Sequence, residues 1–503
     1  MHQMKIFKYL AVGLLLVAGL NSCGSDYLNT QDREHLDPDA AGKAAGHNPN
    51  VFLNGIWSWL ITFDTQKAGE KAAHDDFSYM SVLHATDMMG VDIAAGALHW
   101  FRFDYGFDNR MYNYRRTAVD WNTFYTVVAK ANEIISLYPA GRELTAGEKA
   151  LLGQAQAMRG MAYYYLIQLY QDPVTTAGTV NSEAKGVPLI YTAADGYSEE
   201  EMAKYKSRNT LKEVYARIEK DLTAAVSNLD GYTRPSKNYV DQHVANGLLA
   251  RYYLLSQQWQ KAADAANAAR QGYVIMDNTG LHDGFMNIAN KEWMWGFDQN
   301  TETQTTYASF FSHISNLSPG YSGMGYNTNL IDANLYNQIS STDYRKSLFN
   351  GPEGNDNQAN AGAKMPYANL KFGWDGKWTM DYPYMRAAEM VLIEAEAYAR
   401  LGQNDKAAQV LAVLMANRQP DWKKASVSVD DVLLQRRIEL WGEGFSYFDL
   451  KRTGKGIDRT YQGTNHFTGY IFAVPAHDVK WTYQIPRREM QENKLIKSED
   501  QNP

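Results

Sequence analysis

The sequence predicts a mainly α-helical protein: a scaffold of tetratricopeptide-like helical hairpins with a loop-rich, irregular side that contains few short strands. Three observations carry that prediction. Apolar residues recur three and four apart through several long segments. Two of those segments share an internal pattern of a small residue, a tyrosine and an alanine. Between them, about 272 to 383, the chain loses helical period and turns rich in Gly, Asn, Ser, Thr and aromatic residues.

The chain opens on an export signal. Lys5 and Lys8 supply a positive start, and "YLAVGLLLVAGL" (Tyr9 to Leu20) is an apolar core too short to span a bilayer. The run ends Leu20-Asn21-Ser22-Cys23, the pattern of a bacterial lipobox, in which the cysteine is acylated and heads the mature chain. Cys23 is the only cysteine of 503 residues, so the mature chain has no internal disulfide. Two or more acyl chains hold a protein on a membrane stably. The expectation is therefore a signal peptide over 1–22 and a lipid anchor at Cys23. The alternatives are an ordinary secreted protein with a stray cysteine, or a short anchor helix. Residues 23–50 are polar, with Pro, Gly, Asp and Asn throughout, and read as a tether; 51–503 reads as one folded domain.

Within that domain, Val51 to Phe63 and Val119 to Tyr138 carry helical period. "LLARYYLLSQQWQKAADAANAAR" (Leu248 to Arg270) aligns with "IEAEAYARLGQNDKAAQVLAVLM" (Ile393 to Met415) on the shared "KAA". Ala250, Tyr253 and Ala262 then meet Ala395, Tyr398 and Ala407, and Gly160 with Tyr163 repeats the first half. Small residues let two helices approach closely, and the tyrosine fills the gap beside them. The competing reading is two unrelated hairpins that share alanines. The units are separated along the chain, so a contiguous solenoid does not fit. "EWMWGF" (Glu292 to Phe297) alternates aromatics and predicts a short strand.

A net charge of −7 with scattered basic residues excludes a nucleic-acid footprint. No G-x-S-x-G elbow and no H-E-x-x-H appears, and the single cysteine removes thiolate catalysis and zinc–cysteine sites. Glu439 and Glu443 in "ELWGEGF" invite comparison with a glycosidase pair. Two carboxylates on adjacent turns of one helix point the same way, whereas glycosidases hold theirs across the sugar from separate elements. The reading preferred is an ion-pair network of Arg436, Arg437, Glu439, Glu443, Asp449 and Arg452 that ties the C-terminal helix to the scaffold.

The last third carries a specific resemblance. "DYPYMRAAEMVLIEAEAYARLG" (Asp381 to Gly402), "LLQRRIELWGEGFSYFDLKRTGK" (Leu433 to Lys455) and "YQIPRREMQENKLIKSEDQNP" (Tyr483 to Pro503) are similar to three blocks of the SusD/RagB family. Weaker echoes precede them in order: "AMRGMAYYYLIQLY", "GVPLIY" and "STDYRKSLF". The resemblance implies a SusD-like fold and a lipid-anchored protein of the outer membrane, facing the cell surface. It implies capture of a glycan, or in some relatives a peptide, and its delivery to a partner SusC-like TonB-dependent outer-membrane transporter, without catalysis. No cofactor is implied; a structural Ca2+ would be compatible but nothing indicates one. The alternative class is a lipoprotein glycoside hydrolase or lyase on an all-helical scaffold.

The chain is rich in aromatics, with 34 Tyr, 18 Phe and 12 Trp. A neutral sugar is gripped by an aromatic platform plus polar side chains, so aromatics on loops are better candidates than those at helical spacing. Trp57, Trp59, Trp121 and Phe124 read as core, as do Trp293 and Trp295. "GALHWFRFDYGFDNR" (Gly96 to Arg110) offers Trp100 and Tyr105, and "YASFFSHISNLSPGYSGMGYN" (Tyr307 to Asn327) offers Phe310, Tyr321 and Tyr326. By the resemblance, the family's ligand surface is built from loops in these two regions. Trp374 and Trp378 in "KFGWDGKWTMDY" form a reserve candidate or a transporter-facing patch.

Overall fold

A computed structural model describes residues 50–66, 72–304 and 307–503. The expected signal peptide, Cys23 and nearly all of the tether lie outside the described residues. The longer helices are α1 (Asn50–Leu60), α2 (Tyr79–Met88), α3 (Arg115–Ser136), α4 (Ala146–Tyr170), α5 (Leu211–Asn228), α6 (Gln242–Leu255) and α7 (Trp259–Arg270). After a long irregular stretch come α8 (Ala387–Arg400), α9 (Asn404–Met415), α10 (Val429–Glu439) and α11 (Ser446–Arg452). Among the described residues six short strands form three antiparallel pairs: β1 (Ile93–Ala95) with β3 (Asn329–Ile331), β2 (Trp293–Phe297) with β4 (Tyr382–Arg386), and β5 (Ile457–Asp458) with β6 (Ala473–Val474). The fold is the predicted one: mainly α, with few short strands.

Helix starts are written locally. Thr145, Ser198, Thr210 and Ser428 each cap a helix, with an acidic residue three positions on that returns the bond. The repeat prediction holds in atomic detail. Ala250, Ala262, Ala395 and Ala407 are fully buried where α6 meets α7 and α8 meets α9. In each hairpin the lysine of "KAA" lies over the repeat tyrosine: Lys261 is 5.1 Å from the Tyr253 ring and Lys406 is 3.8 Å from that of Tyr398. Each hairpin turn also needs one left-handed residue, Gln257 (φ 59°) in the first and Gly402 (φ 74°) in the second. Gly160 sits where a Cβ would come within 2.9 Å of Leu222 on α5. Its partner helix is therefore α5, which begins 41 residues after the end of α4.

The helices pack in chain order, α3 through α9, and α7 packs directly on α8 although 116 residues separate them. The units are interrupted along the chain and continuous in space. The aromatics assigned to core behave so: Trp57, Trp121, Phe124, Trp293 and Trp295 are buried, and Trp59 donates its indole N–H to Thr123 O at 2.9 Å. β2 is the predicted strand, but register shifts flank Trp295 and every residue is buried, so neither face is open.

The C-terminal block supplies ion pairs wider than expected. Glu439 accepts from Arg418 at 2.8 Å, Arg386 at 3.1 Å and Arg345 at 3.2 Å, and Glu443 from Lys371 and Arg386. Four of those cationic groups lie outside the block read from the sequence. Arg436 and Arg452 share Asp449, Arg452 also holds Glu396, and Arg437 pairs with Asp92 beside β1. Although burial opposes it, Arg452 keeps the Glu396 carboxyl down at about 2.

Candidate functional site

Two strand pairs decide which loops meet. Ile93 to Ala95 lies against Asn329 to Ile331, and Gly96 N extends the ladder to Thr328 O at 3.0 Å. This sets the loop after β1 against the loop before β3, and His99 N donates to Asn327 Oδ1 at 3.3 Å between them. At the other pair, Phe297 faces Tyr382, so the stretch after β2 and the stretch before β4 leave from the same end. Gln299 N donates to Asp381 Oδ1 at 2.8 Å there.

The aromatics of these loops form one run of rings. Trp374 and Trp378 meet at 4.4 Å between centroids, Trp378 lies 6.5 Å from Tyr307, and Tyr307 lies 6.1 Å from Tyr321. Tyr321 stacks on His99 at 5.7 Å; Trp100 lies edge-on to His99 and stacks on His74 at 5.2 Å. Phe63 closes the run edge-on to His74. Tyr307 is half exposed and His99 exposed, while the others keep part of their surface open. This arc of rings is the candidate site.

Two devices hold it in shape. Tyr321 is fixed at three points: its N–H donates to Ser312 Oγ at 3.2 Å, its hydroxyl lies 2.8 Å from His74 Nδ1, and its ring stacks on buried His313 at 4.8 Å. His313 in turn stacks on Phe77 and donates from Nε2 to His74 O at 2.8 Å. Burial pushes the His313 imidazole down to about 3, so it is neutral, with its proton on Nε2. At the other end Trp378 has φ 64°, a conformation that costs a bulky side chain energy. Asp375 holds it there, accepting the N–H groups of Lys377, Trp378 and Thr379 and the Thr379 hydroxyl.

Of the residues expected from the sequence, Trp100 and Tyr321 lie in the arc, and the reserve pair Trp374 and Trp378 joins it through Tyr307. Tyr105 does not. It is fully buried, with its hydroxyl toward Ala95 N and His466, and the Arg459 guanidinium 3.9 Å from its ring. Phe310 is buried too, starting the short helix Phe310–Ile314 and packed on Phe311, Phe372 and Tyr382. Both residues sit in short loop helices: Arg102–Tyr105 buries Tyr105 and leaves Phe103 exposed, whereas Phe310–Ile314 is buried along its whole length, and sequence spacing alone does not tell the two cases apart. Tyr326 is 55% exposed but outside the run of rings. His74, Phe63 and Tyr307 were missed; Tyr307 opens the very stretch from which the candidates were taken.

Glu439 and Glu443, the glycosidase-like pair, are buried and share Arg386, and neither lies in the arc. Among the described residues no group of three or more His, Cys, Asp or Glu is placed to hold a metal ion, and no helix is long and apolar enough to cross a membrane.

Comparison with known proteins agrees with this architecture. Residues 68–254 match the SusD-like family model described as starch-binding and associating with the outer membrane, and residues 363–503 match the model of the SusD family. The chain belongs to the SusD family. A SusD-like protein of Bacteroides ovatus is 22% identical over 385 residues, which cover 66% of this chain and 64% of that protein. The match thus spans just under two thirds of that relative's length. A solved SusD-like carbohydrate-binding protein of Bacteroides vulgatus superposes with a TM-score of 0.75 at 24% identity, covering 93% of this chain and 99% of that one. A laminarin-binding SusD-like protein superposes at 0.63 with 18% identity, covering 90% and 98%. At these identities the likenesses speak for the fold.

Proposed function

We propose that this SusD-family chain is a lipid-anchored, surface-facing glycan-binding protein of the outer membrane. It captures oligosaccharide and delivers it to a SusC-like TonB-dependent transporter, with no catalytic step of its own. The observation that carries this reading is the arc of partly exposed rings from Trp374 to Phe63. Rings offer apolar faces to the C–H side of a sugar, and the hydroxyl hydrogen bonds replace bonds to water. Stacking therefore dominates affinity. The family and the names of its solved relatives support a carbohydrate ligand, and the burial of Glu439 and Glu443 in ion pairs removes that acid–nucleophile pair.

The test is calorimetry against a panel of neutral polysaccharides (starch, laminarin, xylan, mannan). Trp100→Ala or Tyr321→Ala should weaken binding by roughly 1–3 kcal/mol, on the scale of bases stacked on aromatics, while Asp421→Ala, away from the arc, leaves binding at the arc unchanged. Both arc rings also pack inward, so a modest fall in Tm accompanies their loss. Intact affinity in both arc variants would sink the arc as the capture site. For the anchor, Cys23→Ala should release the protein from membranes and abolish fatty-acid labelling. For delivery, the transporter should co-purify with the wild-type chain.

A further inference from the structure

A second concavity lies outside the arc and shares no residue with it. It is open, about 710 Å³, and is lined by Tyr336, Thr342, Tyr344, Ser347, Asp421 and a few neighbours. We propose that it is a second saccharide-binding site, a groove for a further stretch of the same neutral glycan; this rests on the glycan-binding reading above.

The groove has two walls, and both hang from one buried anchor. One wall is the turn Tyr344–Leu348 with the residues before it, and the other is Pro420 and Asp421, at the end of a segment that starts at buried Arg418. Arg345 of the first and Arg418 of the second both pair with buried Glu439. Between the walls, Tyr344 N donates to Arg418 O at 2.8 Å and Thr342 Oγ1 donates to Asp421 Oδ1 at 2.7 Å. The walls are thus fixed before any ligand arrives, which lowers the ordering cost of binding.

The lining has the chemistry of a sugar site. Tyr344 is half-buried, and its ring has no aromatic or cationic partner among the described residues. The hydroxyls of Tyr336 and Tyr344 make no hydrogen bond to the described residues, so both can serve a ligand. Lys346 Nζ lies 4.8 Å from the Tyr336 ring and donates to Ile339 O at 2.7 Å, which sets that ring's position. Asp421, Thr342 and Ser347 are exposed at the rim; the Thr342 and Ser347 hydroxyl protons go to Asp421 and to Tyr344 O, so these groups face a ligand as acceptors. Phe349 and Pro420 join the two tyrosines in the lining, which has no Leu, Ile, Val or Met, so its apolar surface is largely aromatic, the kind that meets the C–H face of a sugar. A volume of several hundred Å³ fits two or three sugar units.

The experiment uses the full mature chain. Native-gel retardation by starch, laminarin, xylan and mannan identifies a polysaccharide that binds, and calorimetry with its hexasaccharide gives the stoichiometry. Two sites per chain are expected. The double variant Trp100→Ala/Tyr321→Ala should retain one, and Tyr344→Ala should lose the other, with at least tenfold weaker binding there. Asp421→Ala, an exposed change that leaves the fold intact, should weaken the same site and guards against a misfolded Tyr344→Ala. A single site, abolished by the arc variant and untouched by Tyr344→Ala and Asp421→Ala, would overturn the groove and leave the arc standing. No retardation by any of the four would overturn both. A loss of transporter co-purification in Tyr344→Ala, with hexasaccharide stoichiometry unchanged, would make the groove a protein contact and overturn it as well.

Discussion

The helical hairpins and the loop-rich side use the same residue, tyrosine, to opposite ends. In the hairpins, Tyr163, Tyr253 and Tyr398 recur at fixed offsets from small residues and are buried. In the loops, Tyr307 and Tyr321 stand at no period and keep open surface in a run of rings. Backbone conformation divides the same way. Of the eight non-glycine residues with positive φ among the described residues, Gln257 alone lies in a repeat hairpin, and Trp378 lies in the arc. A helix satisfies its own backbone, so its side chains are free to pack. A loop must find partners for its backbone elsewhere, as Asp375 does for three N–H groups, and the side chains left over face solvent.

The largest test strikes the seam that joins the two. Glu439 on α10 receives Arg345 and Arg386 from the loop-rich side and Arg418 from the end of the hairpin array. Glu439→Gln leaves buried guanidinium groups uncompensated and should cost roughly 3–5 kcal/mol, read as a large fall in Tm. If Tm holds, the two regions are joined by packing alone.

Next come the hairpins. Ala262→Leu and Ala407→Leu should each overpack a helix contact and cost about 1–3 kcal/mol, with glycan affinity unchanged. Unchanged melting of both would remove the close contacts assigned to those alanines.

On the loop side the expectation reverses. Asp375→Ala frees the Trp378 turn, which must then be ordered on binding at about 0.5–1.5 kcal/mol. Affinity should fall a fewfold while Tm barely moves; a fall in Tm with full affinity would make this loop structural.

The smallest test compares the two hairpins with each other. Gly402→Ala places a Cβ at φ 74° and should cost about 1 kcal/mol. Gln257→Gly relieves the same strain and frees the unfolded chain, so the gain should stay under about 0.5 kcal/mol. Equal and opposite effects would mean that chain entropy contributes little at this turn.

What the amino-acid sequence determined by itself is what repeats or runs in order. The two full hairpins were legible because their helix packing is local: a small residue and a tyrosine one turn apart specify a contact with the very next helix, whereas Gly160 meets Leu222 across a long connection. The family blocks were legible as ordered strings, and the tryptophans of α1 and α3 as core from helical spacing. Tertiary structure decided everything that depends on residues far apart meeting. The β1–β3 and β2–β4 pairs, set across more than 80 residues of chain, brought Trp100, Tyr307, Tyr321 and Trp378 together. They also left His74 as a stacking partner with no signal in its own neighbourhood. The same long-range packing buried Tyr105 against Arg459 and Phe310 against Phe372. An aperiodic loop has no repeating face, so which of its rings goes inward is set by what lies beneath it, and that is a property of the folded chain.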